Sequence, residues 1–100
     1  MYEMTTDEVL QAIEAKEDIL LIDVREADEV AAGHIENSLH IPLGEVPQAV
    51  ESLQEQNKKM IMICRSGARS ANATMYLRQF DIEAYNMIGG ILDWRGELIY

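Results

Sequence analysis

The stretch Met60-Ile61-Met62-Ile63-Cys64-Arg65-Ser66-Gly67-Ala68-Arg69-Ser70 decides the fold. Four apolar residues run up to the only cysteine of the chain. A short basic and small-residue segment follows, and Ser70-Ala71-Asn72-Ala73-Thr74-Met75-Tyr76-Leu77-Arg78 reads as helix. The pattern is strand, tight loop, helix, with a thiol at the joint. A loop entering a helix aims free backbone N–H groups at one spot, and the helix adds partial positive charge there. Arg65 and Arg69 are expected to add two full charges. All of these favour thiolate over thiol, because the thiolate is the charged form. Cys64 therefore reads as an anionic nucleophile near neutral pH, in a cradle that also suits an anionic substrate. A lone cysteine is often just a small apolar residue closing a buried strand; the flanking Arg-Ser-Gly-Ala-Arg-Ser argues against that here.

Outward from this stretch, strands and helices alternate. Thr5-Thr6-Asp7-Glu8 is a capping box, with Thr5 as cap and Glu8 three residues on. Val9, Leu10 and Ile13 give the helix that follows an apolar stripe. Ile19-Leu20-Leu21-Ile22-Asp23-Val24 is an apolar run of the kind covered on both faces of a sheet. A short helix is predicted over 26–32, stopped by Gly33. Leu39-His40-Ile41 is a short strand closed by Pro42. A helix over 47–54 starts with proline in its first turn. After the 70–79 helix, Phe80-Asp81 turns the chain into a last strand over 82–87, and Gly89-Gly90 turns it again into a short helix from Ile91 to Trp94. Alternation of this kind predicts one α/β domain over residues 1–100, a largely parallel sheet with helices on both faces. Sites in such folds lie at the carboxyl ends of the strands. Cys64 sits at one such end and Asp23-Val24-Arg25 at another.

The chain carries a net charge of −10. Such a surface repels phosphate backbones and anionic lipid, which argues against nucleic-acid and membrane partners. Two of only eight basic residues flank the thiol, so an anion is the expected ligand. One cysteine forms no internal disulfide, and a reactive free thiol suits a reducing compartment. The N-terminal residues show neither a basic segment nor an apolar run, so the cytoplasm is the expected location.

Cys64 to Arg69, with Gly67 inside and Ser70 after, resembles the active-site loop of the rhodanese sulfurtransferase family. Leu21-Ile22-Asp23-Val24-Arg25, Glu29, Gly33-His34-Ile35 and Ile41-Pro42-Leu43 resemble its N-terminal signature, and Gly89-Gly90-Ile91 with Trp94 its C-terminal one. The family's usual Pro-Gly-Ala after Gly-His-Ile is replaced by Glu36-Asn37-Ser38, a change in a turn. The resemblance implies a single-domain rhodanese with a central five-stranded sheet, Tyr2-Glu3-Met4 being an edge strand beside the last one. It implies that Cys64 attacks the outer sulfur of a thiosulfate-like donor, carries it as a persulfide and yields it to a thiol or cyanide. Arg65, Ser66, Gly67, Ala68 and Arg69 would form the substrate loop, with Arg65 attracting the donor and Arg69 supporting loop shape and charge. No cofactor is implied.

The other candidates read as supporting structure. Asp23 and Arg25 are expected behind the site, Asp23 orienting the loop by pairing with Arg69 or with loop backbone. His34 and His40 read as structural hydrogen-bonding residues, although a Cys–His pair would activate a thiol. One cysteine and two scattered histidines lack metal-ligand spacing. Met60, Met62, Met75 and Met87 read as core, Trp94 and Tyr85 as cover for the core or the site rim. The acidic runs 26–29 and 51–55 read as solvated helix faces. Other functions compete with sulfur transfer for such a loop. A cysteine phosphatase uses a similar loop, but with one more residue between Cys and Arg than the four here. A non-catalytic binding module of this fold would have lost the cysteine. A persulfide carrier between protein donors and acceptors would present the same site.

Overall fold

The computed structural model describes residues 2–100. Five strands form one sheet in the order β1-β5-β4-β2-β3: β1 (Glu3–Met4), β2 (Ile19–Asp23), β3 (Leu39–His40), β4 (Lys59–Ile63) and β5 (Ala84–Met87). All four pairings are parallel, and β1 lies beside β5 at the edge. The helices are α1 (Thr6–Glu14), α2 (Ala27–Ala31), α3 (Val46–Gln56) and α4 (Ala68–Arg78), with single 3₁₀ turns at Leu43–Glu45 and Ile91–Asp93. Parallel strands need crossover connections, and the helices supply them.

The alternation of strand side chains splits the core into two layers. On one face Met60, Met62 and Cys64 pack with Ile22 and Val24 under Val46 and Leu53 of α3 and Ala73 and Leu77 of α4. On the other face Ile61, Ile63 and Leu21 pack with Val9 of α1 and with Ile91, Trp94 and Leu98. Both faces of β4 are thus dry, which explains its unbroken apolar sequence. The same two-residue period that buries Met60 and Met62 turns Cys64 toward α4. The C-terminal segment is tied back by a bridge between His34 and Ile99.

The capping box forms as read: Thr5 Oγ1 accepts from the Glu8 N–H and Glu8 Oε1 accepts from the Thr5 N–H. Several element bounds differ from the sequence reading. Helix α4 starts at Ala68 rather than Ser70, because Gly67 adopts a φ of 103° and turns the chain into the helix at once. Strand β5 is shorter than 82–87 because Ile82 packs into the core ahead of the ladder. Met75 is 47 % exposed on α4, so it is not a core residue; Ala73, Thr74 and Leu77 form the buried face.

Candidate active site

Strand β4 ends at Ile63 and the chain descends through Cys64-Arg65-Ser66-Gly67 into α4. Glycine at the N-cap brings no side-chain acceptor to the orphan N–H groups of the first turn. The sulfur of Cys64 takes that place. The Gly67 N–H donates to Sγ at 3.1 Å and the Ser70 N–H at 3.4 Å, and Ser70 Oγ lies 3.2 Å away. The carbonyls of Cys64 and Arg65 accept from the N–H groups of Ile91 and Leu92 at 3.0 and 3.1 Å. The loop therefore has its donors gathered on the sulfur and these two acceptors occupied elsewhere. Gly90 makes this contact possible: a Cβ there would stand 2.4 Å from the Arg65 carbonyl oxygen.

Cys64 is 1 % exposed. Burial pushes its thiol pKa up, since the anion loses solvation. In the thiolate, a bond from the Ser70 hydroxyl, then from the Ser70, Gly67 and Ser66 N–H groups, outweighs that and brings the pKa below the ordinary thiol value. The depression comes from hydrogen bonds, as expected of the loop N–H groups; the two arginines, expected to contribute beside them, are not among its main causes.

Arg69 explains the difference. Its Nη1 and Nη2 donate to the two carboxylate oxygens of Glu29 on α2 at 2.8 and 2.9 Å. The Glu29 carboxylate offsets part of the charge that Arg69 offers the sulfur. Hydrogen bonding from Arg69, then from the Glu26 N–H, holds the Glu29 carboxyl down at about 2. The bond to Glu29, followed by the Glu29 and Cys64 charges, raises the Arg69 pKa against its partial burial. Arg65, next to Cys64 in the chain, is exposed, and Ser66 and Ala68 are exposed with it.

Asp23 does not pair with Arg69. Its carboxylate is taken by Arg25, whose Nη2 and Nε donate to Asp23 at 2.8 Å and at 3.0 and 3.2 Å. Two residues apart at a strand end, these side chains meet more readily than Asp23 can reach the loop. Both are buried. Arg25 also donates to the carbonyls of Gly33 and Glu29 at 2.8 and 3.2 Å. The pair thus braces the segment that presents Glu29 to Arg69, and supports the loop at one remove. Neither histidine reaches the sulfur by a hydrogen bond: His34 Nδ1 is bonded to the Val30 carbonyl and His40 Nε2 donates to the Arg25 carbonyl at 2.7 Å.

Three residues were undervalued by sequence reasoning. Glu29 looked like part of a solvated acidic face; its spacing from Arg69 gives no sign of the pair. Ser70 looked like a helix start, yet it is fully buried against Sγ. Asn86 on β5 donates from Nδ2 to the Gly67 carbonyl at 3.1 Å and accepts from Ser70 Oγ at 2.5 Å. A polar residue inside an otherwise apolar strand was the available signal for it.

A family model described as Rhodanese-like domain matches residues 5–97. The chain is 42 % identical over 95 residues to "Putative sulfurtransferase YtwF" of Bacillus subtilis, covering 95 % of this chain and 91 % of that protein. It is 33 % identical over 93 residues to a sulfurtransferase of Allochromatium vinosum, covering 92 % and 86 %. The crystal structure of a rhodanese-like domain protein from Staphylococcus aureus matches with a TM-score of 0.88 at 33 % identity, over 97 % of this chain and 93 % of that one. With the strand–loop–helix thiol site at its centre, the chain belongs to the rhodanese-like sulfurtransferase family.

Proposed function

We propose that the protein takes a sulfane sulfur from thiosulfate, or a similar anionic donor, onto Cys64 and passes it to a thiol or cyanide. The observation that carries this reading is the convergence of the Gly67 and Ser70 N–H groups, with Ser70 Oγ beside them, on one buried sulfur.

The thiolate of Cys64 attacks the outer sulfur of thiosulfate. A new S–S bond forms, the bond to the sulfonate sulfur breaks, and its electron pair leaves on sulfite. The negative charge moves to the outer sulfur of a Cys64 persulfide. Cyanide or a thiolate then attacks that outer sulfur, and the pair of the S–S bond returns to Cys64 as thiolate. No external oxidant or reductant is needed, because sulfur moves together with its charge. Donors aimed at Sγ stabilise the thiolate at the start and as leaving group at the end. Arg65, exposed and next to Cys64 in the chain, draws the dianion in. With four residues between Cys64 and Arg69, the loop is one shorter than in cysteine phosphatases, a smaller bowl better matched to an outer sulfur than to a tetrahedral phosphoryl group. Arg69, held by Glu29, is not free to clamp phosphate oxygens. A reducing compartment such as the cytoplasm would keep the thiol active.

The test is thiocyanate production from thiosulfate and cyanide by the wild type, Cys64→Ser and Cys64→Ala. Turnover by the wild type and none by either variant is expected. Turnover that survives loss of the thiol overturns the assignment.

A further inference from the structure

The hydrogen-bond directions around Ser70 contain a competition. The Gly67 carbonyl can only accept, so the Asn86 side chain must present its Nδ2 there, at 3.1 Å. Its Oδ1 then faces Ser70 Oγ at 2.5 Å. A carbonyl oxygen also only accepts, so the Ser70 hydrogen points at Asn86. What Ser70 turns toward Sγ, 3.2 Å away, is lone pairs. Those lone pairs can accept only from an S–H. With the Gly67 N–H on Sγ at 3.1 Å the bonds close into a ring: Cys64 to Ser70, Ser70 to Asn86, Asn86 to Gly67, Gly67 to Cys64. Every member is satisfied when Cys64 is a thiol. Cys64, Ser70 and Asn86 are 1 %, 0 % and 5 % exposed, so water has no ready access to repair a broken link.

We infer that the Ser70 hydroxyl is a two-position donor and that Asn86 is the positioning residue that sets its rest position. It points at Asn86 Oδ1 when Cys64 is a thiol or carries a second sulfur, and swings to Sγ when Cys64 is a thiolate. The swing gains a charge-assisted bond but strands the Asn86 carbonyl against oxygen lone pairs in a buried site, which costs about as much as a lost hydrogen bond. Asn86 therefore opposes the N–H cradle and keeps part of the resting population protonated. In the attack step the sulfur loses its charge and the hydroxyl returns to Asn86. In the release step the hydroxyl moves back to the departing thiolate. The persulfide half of this cycle rests on the proposed function; the thiol–thiolate half does not.

Other charges face the site. Arg65 follows Cys64 in the chain, Arg69 feels the Cys64 charge, Glu29 on α2 holds Arg69, the Asp23–Arg25 pair and His40 lie at the ends of β2 and β3, and Asp93 lies against Gly89. The test leaves all of them unchanged. It is a double-mutant cycle on Ser70 and Asn86. The readout is the pH midpoint of Cys64 alkylation by iodoacetamide, measured without any sulfur donor, so that it is independent of the substrate assignment. Asn86→Leu removes the competing acceptor and should lower the midpoint, giving about tenfold more thiolate at a fixed pH below it. In a Ser70→Ala background the same substitution should produce no such fall. Loss of the tie to Gly67 is common to both backgrounds and cancels. A midpoint that rises or stays put in Asn86→Leu, or that falls equally without the Ser70 hydroxyl, overturns the inference. A second measurement needs no Asn86 variant. The chain has one cysteine, so at acid pH a single S–H stretching band reports Cys64. In Ser70→Ala this band should move to higher wavenumber and in Ser70→Thr it should stay. A band unmoved in Ser70→Ala would show that the thiol does not donate to Ser70.

Discussion

Glu29 and Arg69 form a two-point ion pair across forty positions of sequence, with Nη1–Oε1 and Nη2–Oε2 at 2.8 and 2.9 Å. The second arginine of the loop is thereby a structural tie between α2 and α4. The Glu29 carboxyl sits at about 2, below its value of 4.5 as a free side chain. A depressed carboxyl contributes stability above the unfolded value and loses it as pH falls through the folded one. The wild type should therefore exceed Glu29→Gln in stability at neutral pH, by about 1 kcal/mol or less for so solvent-screened a pair. The gap should close between pH 4.5 and about 2. Denaturant midpoints at both ends of that window check this; a gap that does not narrow on acidification contradicts it.

Arg65 and Arg69 should respond differently to loss of charge. Arg65 is exposed, and none of the side-chain ion pairs described above involves it. Arg65→Ala should raise the half-saturating thiosulfate concentration about fivefold, equivalent to ~1 kcal/mol, with thermal stability unchanged. Arg69→Ala leaves Glu29 without its partner and should lower the melting temperature as well as turnover. Steady-state kinetics and thermal melts on both variants decide it. An unchanged half-saturation in Arg65→Ala would remove that residue from donor binding.

The Asp23–Arg25 pair is buried, with side-chain exposures of 1 % and 6 %. Removing the carboxylate leaves a buried guanidinium uncompensated, a change that costs about 3–5 kcal/mol. Asp23→Ala should lose that much in urea unfolding, a large share of the stability of a domain this size. A loss under about 1 kcal/mol would mean that Arg25 finds other partners.

Gly90 has a φ of 61°, and an added Cβ would lie 2.4 Å from the Arg65 carbonyl oxygen and 2.6 Å from that of Cys64. Backbone, not a yielding side chain, blocks the space. Gly90→Ala should destabilise the fold by at least about 2 kcal/mol and displace the loop. Loss of donor turnover exceeding that of a surface Gly44→Ala control would be the sign, since a Cβ on Gly44 meets nothing within 4 Å. Equal behaviour of the two variants would contradict the role given to Gly90.

Much of the fold was legible because its signals are local. The apolar runs of β2 and β4, the Thr5–Glu8 box and the glycines after α2 and β5 each act within a few residues. The loop was legible because Cys64, Gly67 and the start of α4 lie within one turn of chain. What escaped depends on contacts between distant segments. Glu29 meets Arg69 only because β2 lies beside β4 and carries α2 to the loop. Ser70 meets Asn86 only because β5 lies on the other side. Asp23 pairs with Arg25 rather than with Arg69 or loop backbone because two opposite charges two residues apart meet more readily than partners farther along the chain. The early start of α4 follows from the left-handed conformation at Gly67, which moved Ser70 from the helix entrance to its first turn, over the sulfur.

In the proposed function the Sγ of Cys64 holds a transferable sulfur. Intact mass spectrometry of the wild type and Cys64→Ser after brief exposure to thiosulfate tests it most directly. A gain of one sulfur atom is expected in the wild type, absent from Cys64→Ser and removed by a thiol reductant or cyanide. A wild-type mass that does not change, or the same gain in Cys64→Ser, would contradict it.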